Sequence, residues 1–134
     1  MQPFVMLAIG CLVLSSCDSF PGDARKSYPD ALDLPEVTVR EAARPGVVPA
    51  EMNVTAYVID VFSCEPGYKC VVEDHIWIAA SPFGRPADLI YTGVHAARQF
   101  REGRAYLFSL RAMRQPRSDS VEALRFSILG YDAL

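Results

Sequence analysis

Histidine, tryptophan and cysteine are scarce in this chain of 134 residues, which has 2 His, 1 Trp and 4 Cys. Two histidines, His75 and His95, leave little material for a metal centre or for His-based acid–base chemistry. The chain contains no nucleophile elbow, phosphate-binding loop, dinucleotide fingerprint or zinc-protease helix. Its longest apolar run falls short of the roughly 20 residues that a membrane-spanning helix needs. A basic excess is also missing, because the formal net charge is -3. These absences favour a domain that binds without catalysing, with no cofactor and no metal, and they make nucleic acid a poor partner.

What is present fits one ordinary domain. Hydrophobic residues make up 51 % and charged residues 22 %, a globular balance and not a disordered one. The N-terminus inflates the apolar share. Phe4 to Leu14 is an uninterrupted apolar run with the length of a signal-peptide core. Leu14-Ser15-Ser16-Cys17 follows it. That order of an aliphatic residue, two small residues and a thiol resembles the bacterial lipobox. The resemblance implies cleavage before Cys17, a diacylglycerol on its thiol, and commonly a palmitate-type acyl chain on the new amine. Residues 1–16 are then a signal peptide, and the chain is a lipoprotein of the bacterial cell envelope facing out of the cytoplasm. Asp18 marks inner-membrane retention in enterobacteria, but the sequence leaves the choice of membrane open.

Residues 17–35 read as the lipidated Cys and a flexible tether. Asp18 to Leu34 is rich in Asp, Ser, Pro and Gly and has no apolar period. Residues 36–134 are the expected folded domain. Cys64 and Cys70 remain there in an oxidising compartment, where pairing is the default. Pro66-Gly67 between them suits the centre of a type II turn. Two other readings are a metal site using Cys64, Cys70 and His75, and a redox dithiol. The spacing matches neither a zinc pattern nor Cys-x-x-Cys.

Period-2 alternation predicts five short strands. Met52 to Phe62 is the first, with Met52, Val54, Ala56 and Val58 on one face. His75 to Ala80 is the second, Asp88 to Val94 the third, Ala105 to Met113 the fourth and Ala123 to Tyr131 the fifth, with Leu124, Phe126 and Ile128 inward. Val37 to Ala43 reads as either a short helix or a further strand. His95 to Glu102 makes one or two helical turns anchored by Phe100. The fourth strand's pattern breaks, which places a bulge near Arg111.

This order, all-β with a short helical turn between strands 3 and 4, is that of a five-stranded OB-fold barrel. Thr38 to Ala42, Gly46 and Val54-x-Ala56-Tyr57-Val58 resemble the opening of bacterial extracytoplasmic OB-fold modules. Phe100-x-x-Gly103-x-x-Tyr106-x-Phe108 resembles their entry to the fourth strand. A small open β-sandwich is the alternative. In an OB barrel the second and third strands carry the ligand, so Trp77, Tyr91, Arg85 and Arg111 are the candidate ligand-binding residues. Whether Trp77 or the Ile76 and Ile78 pair faces outward stays open at this level. Glu73-Asp74-His75 reads as the polar approach to a strand, not as a general base. From Ala96 onward the chain carries Arg98, Arg101, Arg104, Arg111, Arg114, Arg117 and Arg125. They form either a face that pairs with acids elsewhere or an anion-binding patch. The expected function is a lipid-anchored extracytoplasmic binding or envelope-assembly module, held to the membrane through Cys17, with an envelope protein or glycan as partner. An accessory hydrolase and an anion- or nucleic-acid-binding module are the rivals.

Overall fold

The computed structural model describes residues 26–44, 49–84, 89–115 and 123–134. The apolar run, the lipobox with Cys17, residues 18–25, Arg85, Arg117 and the side chains of Arg114 and Leu124 lie outside the described residues. The described chain is mostly strand and forms one sheet of five: β1 (Glu51–Phe62), β2 (His75–Ala79), β3 (Ile90–Gly93), β4 (Ala105–Gln115) and β5 (Ala123–Ala133). A helix α1 (Val39–Ala42) precedes the sheet, and a 3-10 turn (Ala97–Gln99) lies between β3 and β4. The pairings run β1-β2-β3-β5-β4 and return to β1, so the sheet closes on itself.

Alternation decides which side chains enter the core. Met52, Val54, Ala56 and Val58 of β1 are buried, as are Ile76 and Ile78 of β2, Ile90 of β3, Tyr106, Phe108 and Leu110 of β4, and Phe126 and Ile128 of β5. Each large apolar side chain so buried stabilises by about 1.5–3 kcal/mol. Phe100 anchors the helical turn as its sequence position suggested. It packs on Tyr131 at 4.8 Å and Tyr106 at 5.5 Å between ring centroids.

β1 serves two neighbours. Its first half pairs with β4 from Glu51↔Arg111 to Tyr57↔Ala105, and its second half pairs with β2 from Tyr57↔Ala79 to Phe62↔His75. The register slips between Val58 and Asp60, which makes Ile59 an extra residue and lets the strand bend. A second slip lies between β4 and β5. Ser109 faces Gly130 but Leu110 faces Ile128, so the extra residue is Leu129 on β5, not one near Arg111 on β4. That bulge resets β5 so that Tyr131 is buried along with Phe126 and Ile128.

Within Val37 to Ala43, Val39–Ala42 is helix, while Val37 N donates to Asn53 O of β1 at 2.9 Å. Thr38 caps α1, its hydroxyl accepting from Glu41 N at 3.1 Å, while the Glu41 carboxylate accepts from Thr38 N at 3.1 Å. The Thr-x-x-Glu signature was present in the sequence. Before it, Glu36 bridges to Asn53 in parallel.

The described part of the expected tether is instead bound to the sheet. Tyr28 is 5 % exposed and packs against His95, Phe100 and Tyr131. Tyr131 N donates to Pro29 O at 3.0 Å, Ala31 N to Asp132 Oδ1 at 3.1 Å, and Asn53 N to Pro35 O at 2.8 Å. Lys26 Nζ reaches the Tyr131 carbonyl and sits 4.3 Å from that ring's centroid. Composition read this stretch as linker because it lacks an apolar period. One aromatic anchor and a row of backbone hydrogen bonds hold it, and neither leaves a period. We refer to residues 26–36 as the strap.

The outer aromatic face of β1, β2 and β3

The sheet's outer surface has two unlike regions. Under the strap, Asn53 and Ser109 are buried although they point away from the core. At the far end of β1 no described segment lies over the sheet in this way, and aromatic side chains gather. Trp77 stands directly opposite Tyr91 in the β2–β3 register, with ring centroids 5.2 Å apart at 76°. His75 stacks between Phe62 and Tyr91, at 5.1 and 4.6 Å. Since Ile76 and Ile78 are fully buried, alternation turns Trp77 outward, where it is half-buried. Tyr91 is half-buried as well.

A polar edge borders this cluster. The Tyr91 hydroxyl donates to Glu73 Oε1 at 3.1 Å, and Glu73 pairs with Arg125 of β5. Burial pushes the Tyr91 phenol above its ordinary pKa of 10.0, and the hydrogen bond to Glu73 and its charge add to that, with Arg125 opposing. The Arg125 guanidinium lies over Gly93. A Cβ at residue 93 would come 2.9 Å from Arg125 Nη2 and 3.2 Å from Glu73 Oε1. His75 Nδ1 lies 2.8 Å from the Glu73 carbonyl oxygen, which can only accept, so Nδ1 carries the proton.

The loop from β1 to β2 forms the rim. Cys64 and Cys70 are joined in a disulfide, with their Cα atoms 6.0 Å apart. With their sulfurs bonded to each other, they offer no thiolate pair to a metal. The enclosed turn is the one Pro66-Gly67 favours: Tyr68 N donates to Glu65 O at 3.1 Å, and Gly67 takes a φ of 89°, a left-handed value that suits glycine. Asp74 holds the loop's base, accepting from Cys64 N at 2.7 Å. Beyond the clasp, Tyr68 is 71 % exposed, Val71 104 % and Val72 48 %.

Of the four expected ligand residues, the fold brings Trp77 and Tyr91 together. Arg111 is elsewhere: it faces Glu51 at the start of β1 and donates to its carboxylate at 2.9 Å. Arg85 lies outside the described residues. Residues missed from sequence are Phe62, His75, Glu73 and Arg125. His75 is not merely a polar approach to β2; it is the central ring of the stack. Its signal was the alternation His75-x-Trp77, which puts both on one face. Arg125 carried no such signal, because the β3–β5 pairing that delivers it is invisible locally.

A depression of about 510 Å³ lies between α1 and β1, lined by Glu36, Thr38, Glu41, Asn53, Thr55 and Ala80 among others. It offers carboxylates and short side chains but no aromatic platform. Among the described residues, no group of three His, Cys, Asp or Glu is placed to hold a metal ion. No helix there is long and apolar enough to cross a membrane. No protein-family model, curated protein or solved structure matches the chain.

Proposed function

We propose that this chain is a lipid-anchored, extracytoplasmic OB-type module that binds an envelope glycan on the outer face of β2 and β3 and catalyses no reaction. The OB reading is supported by the order β1-β2-β3-β5-β4, the parallel β3–β5 pair and the 3-10 turn between β3 and β4. OB folds bind oligonucleotides and oligosaccharides on the face of strands 2 and 3 with the loops beside it. The observation that carries the functional reading is the partly exposed pair Trp77 and Tyr91 with Glu73 and Arg125 at its edge. Aromatic faces receive the apolar side of a pyranose ring, and a carboxylate–guanidinium pair receives its hydroxyls. The exposed Tyr68, Val71 and Val72 support a second reading, a partner protein seated on the same rim.

Trp77 is the only tryptophan, so its fluorescence reports on the site without labelling. A titration with β-1,4-linked N-acetylglucosamine oligomers is expected to give a saturable change in emission. Trp77→Ala is expected to abolish binding, measured by calorimetry, while the fold persists by circular dichroism. No saturable change with the oligomers sinks the glycan reading. Capture of a single envelope protein that depends on Val71 supports the second. The anchor is tested by mass spectrometry of membrane-extracted protein: a lipidated Cys17 terminus is expected, and an intact terminus at Met1 refutes it.

A further inference from the structure

Three arginines gather around the end of the sheet from which the strap departs. Arg98 lies in the 3-10 turn, Arg101 follows Phe100, and Arg104 leads into β4; all three are exposed. Contacts of about 6 Å or less tie them to the strap. Arg104 sits 5.9 Å from the Tyr106 ring centroid, Tyr106 packs on Phe100 at 5.5 Å, and Phe100 packs on Tyr28 at 5.9 Å. Gln99, next to Arg98, donates to Ser27 Oγ at 2.7 Å and accepts from Ser27 N at 3.1 Å. Arg101 N donates to the Tyr106 hydroxyl at 3.0 Å.

The acids of this region are engaged elsewhere. Asp30 and Asp132 pair with Lys26, at 2.7 and 3.9 Å. The Glu102 carboxylate turns to Val61 N at 3.4 Å. The guanidinium groups of Arg98, Arg101 and Arg104 have no ion-pair partner among the described residues, whereas Arg111 and Arg125 do. With Lys26 against Asp30, Asp132 and Glu102, this end keeps a small positive excess, carried by three exposed arginines that no described carboxylate ties down.

We propose that this end is a docking surface for an anionic phospholipid bilayer. The inference builds on the lipid anchor proposed above. Eight residues, 18–25, separate Cys17 from Lys26. Such a leash spans roughly 30 Å when fully extended, and a flexible one averages on the order of 17 Å. A domain of this size has a radius of gyration of about 13 Å. At its average span the leash is shorter than the domain is wide, which disfavours turning the strap's end away from the bilayer. It holds the end that bears Lys26 close to the headgroups, and the three arginines share that end. Each basic side chain near an anionic surface contributes about 1 kcal/mol, and salt screens the attraction over a Debye length of about 10 Å at 0.1 M.

All the described contacts of the fold lie within Lys26–Leu134, so a chain of residues 18–134 holds the domain while lacking both the apolar run and Cys17. Its partition into vesicles is measured by flotation, and its fold is checked by circular dichroism. Binding is expected to phosphatidylglycerol vesicles and not to phosphatidylcholine vesicles, with loss at high salt. Replacing all three, as Arg98→Gln, Arg101→Gln and Arg104→Gln, is expected to weaken it on the order of 100-fold. Arg98→Gln alone, for which no side-chain contact is described, keeps the test valid if the triple variant misfolds, and is expected to cost about fivefold. Equal binding to both lipids, or partition indifferent to these substitutions, overturns the proposal. So does stronger binding to duplex DNA than to the vesicles. Because this chain has no Cys17, the result is independent of whether the anchor exists, which the mass of the membrane-extracted protein decides separately.

Discussion

Asn53 and Ser109 face each other across the β1–β4 pair, and the Ser109 hydroxyl donates to Asn53 Oδ1 at 2.6 Å. Leu32 of the strap completes a ring with them: its N–H donates to Ser109 Oγ at 2.8 Å, and its carbonyl accepts from Asn53 Nδ2 at 2.7 Å. Two polar side chains on the outer face are thereby buried and satisfied by one residue of a segment with no regular structure. Ser109→Ala leaves the Leu32 amide and the Asn53 carbonyl oxygen without this partner. It is expected to destabilise the domain by about 1–3 kcal/mol in urea unfolding. A loss under about 0.5 kcal/mol, the range of an ordinary surface substitution, would show that the strap adds nothing there.

Gly130 tests the same segment through shape. A Cβ there would overlap the Asp30 carbonyl oxygen and lie 2.9 Å from that of Pro29. These are backbone atoms and cannot swing aside. Gly130→Ala is expected to lift the strap, at a cost of about 1–3 kcal/mol. Hydrogen exchange should then accelerate at the Ala31 and Leu32 amides. Unchanged protection at those amides counts against the description of the strap as part of the fold.

The disulfide closes a loop of only a few residues, since Cys64 and Cys70 are separated by 6 in sequence. In the chain-entropy model such a closure contributes about 2 kcal/mol. Reduction is expected to lower stability by that amount while leaving the emission of Trp77 unchanged in native buffer, because Asp74 still holds the base of the loop through Cys64 N. A change in Trp77 emission on reduction would mean that the clasp positions the aromatic face as well as the turn.

Tyr28, Tyr91 and Tyr131 all have phenols raised above 10.0, first by burial in each case. A raised folded pKa means that the native state keeps its proton where the unfolded chain has lost it. The stabilisation is complete below the unfolded value of about 10 and disappears as pH climbs through the folded one. Stability should therefore fall with alkali above pH about 10, with late phenolate absorbance. Glu73→Gln removes the charge that helps raise Tyr91, so one phenol should titrate earlier in that variant. An unaltered titration curve would contradict the Tyr91–Glu73 contact.

Strand patterning was legible wherever side chains alternate. Met52, Val54, Ala56 and Val58 enter the core as their spacing predicts. The cysteine clasp and its Pro-Gly turn were legible too, because their geometry is local. Trp77 was ambiguous only because β2 is apolar at both parities, Ile76 and Ile78 on one and Trp77 on the other. The strap was misread, since a chain held by backbone hydrogen bonds has the composition of a linker. Arg111 and Arg125 show the other limit. Both are strand arginines paired with a carboxylate, and only the long-range pairing of β3 with β5 sets Arg125 near Tyr91 and Glu73 while Arg111 meets Glu51.

The contact between β3 and β5 is short, resting on Thr92↔Phe126 and Gly93↔Ser127, whereas β4 and β5 are matched along nearly their whole length. It joins strands that are not consecutive in the chain, so loop-closure entropy opposes it while few paired residues reward it. Until it forms, β3 and β5 each present a bare row of amides and carbonyls, the template on which foreign strands add. The Glu73–Arg125 pair crosses this same junction, from the approach to β2 onto β5. A ligand that grips both side chains therefore acts as a rivet across the shortest run of pairing described in the sheet.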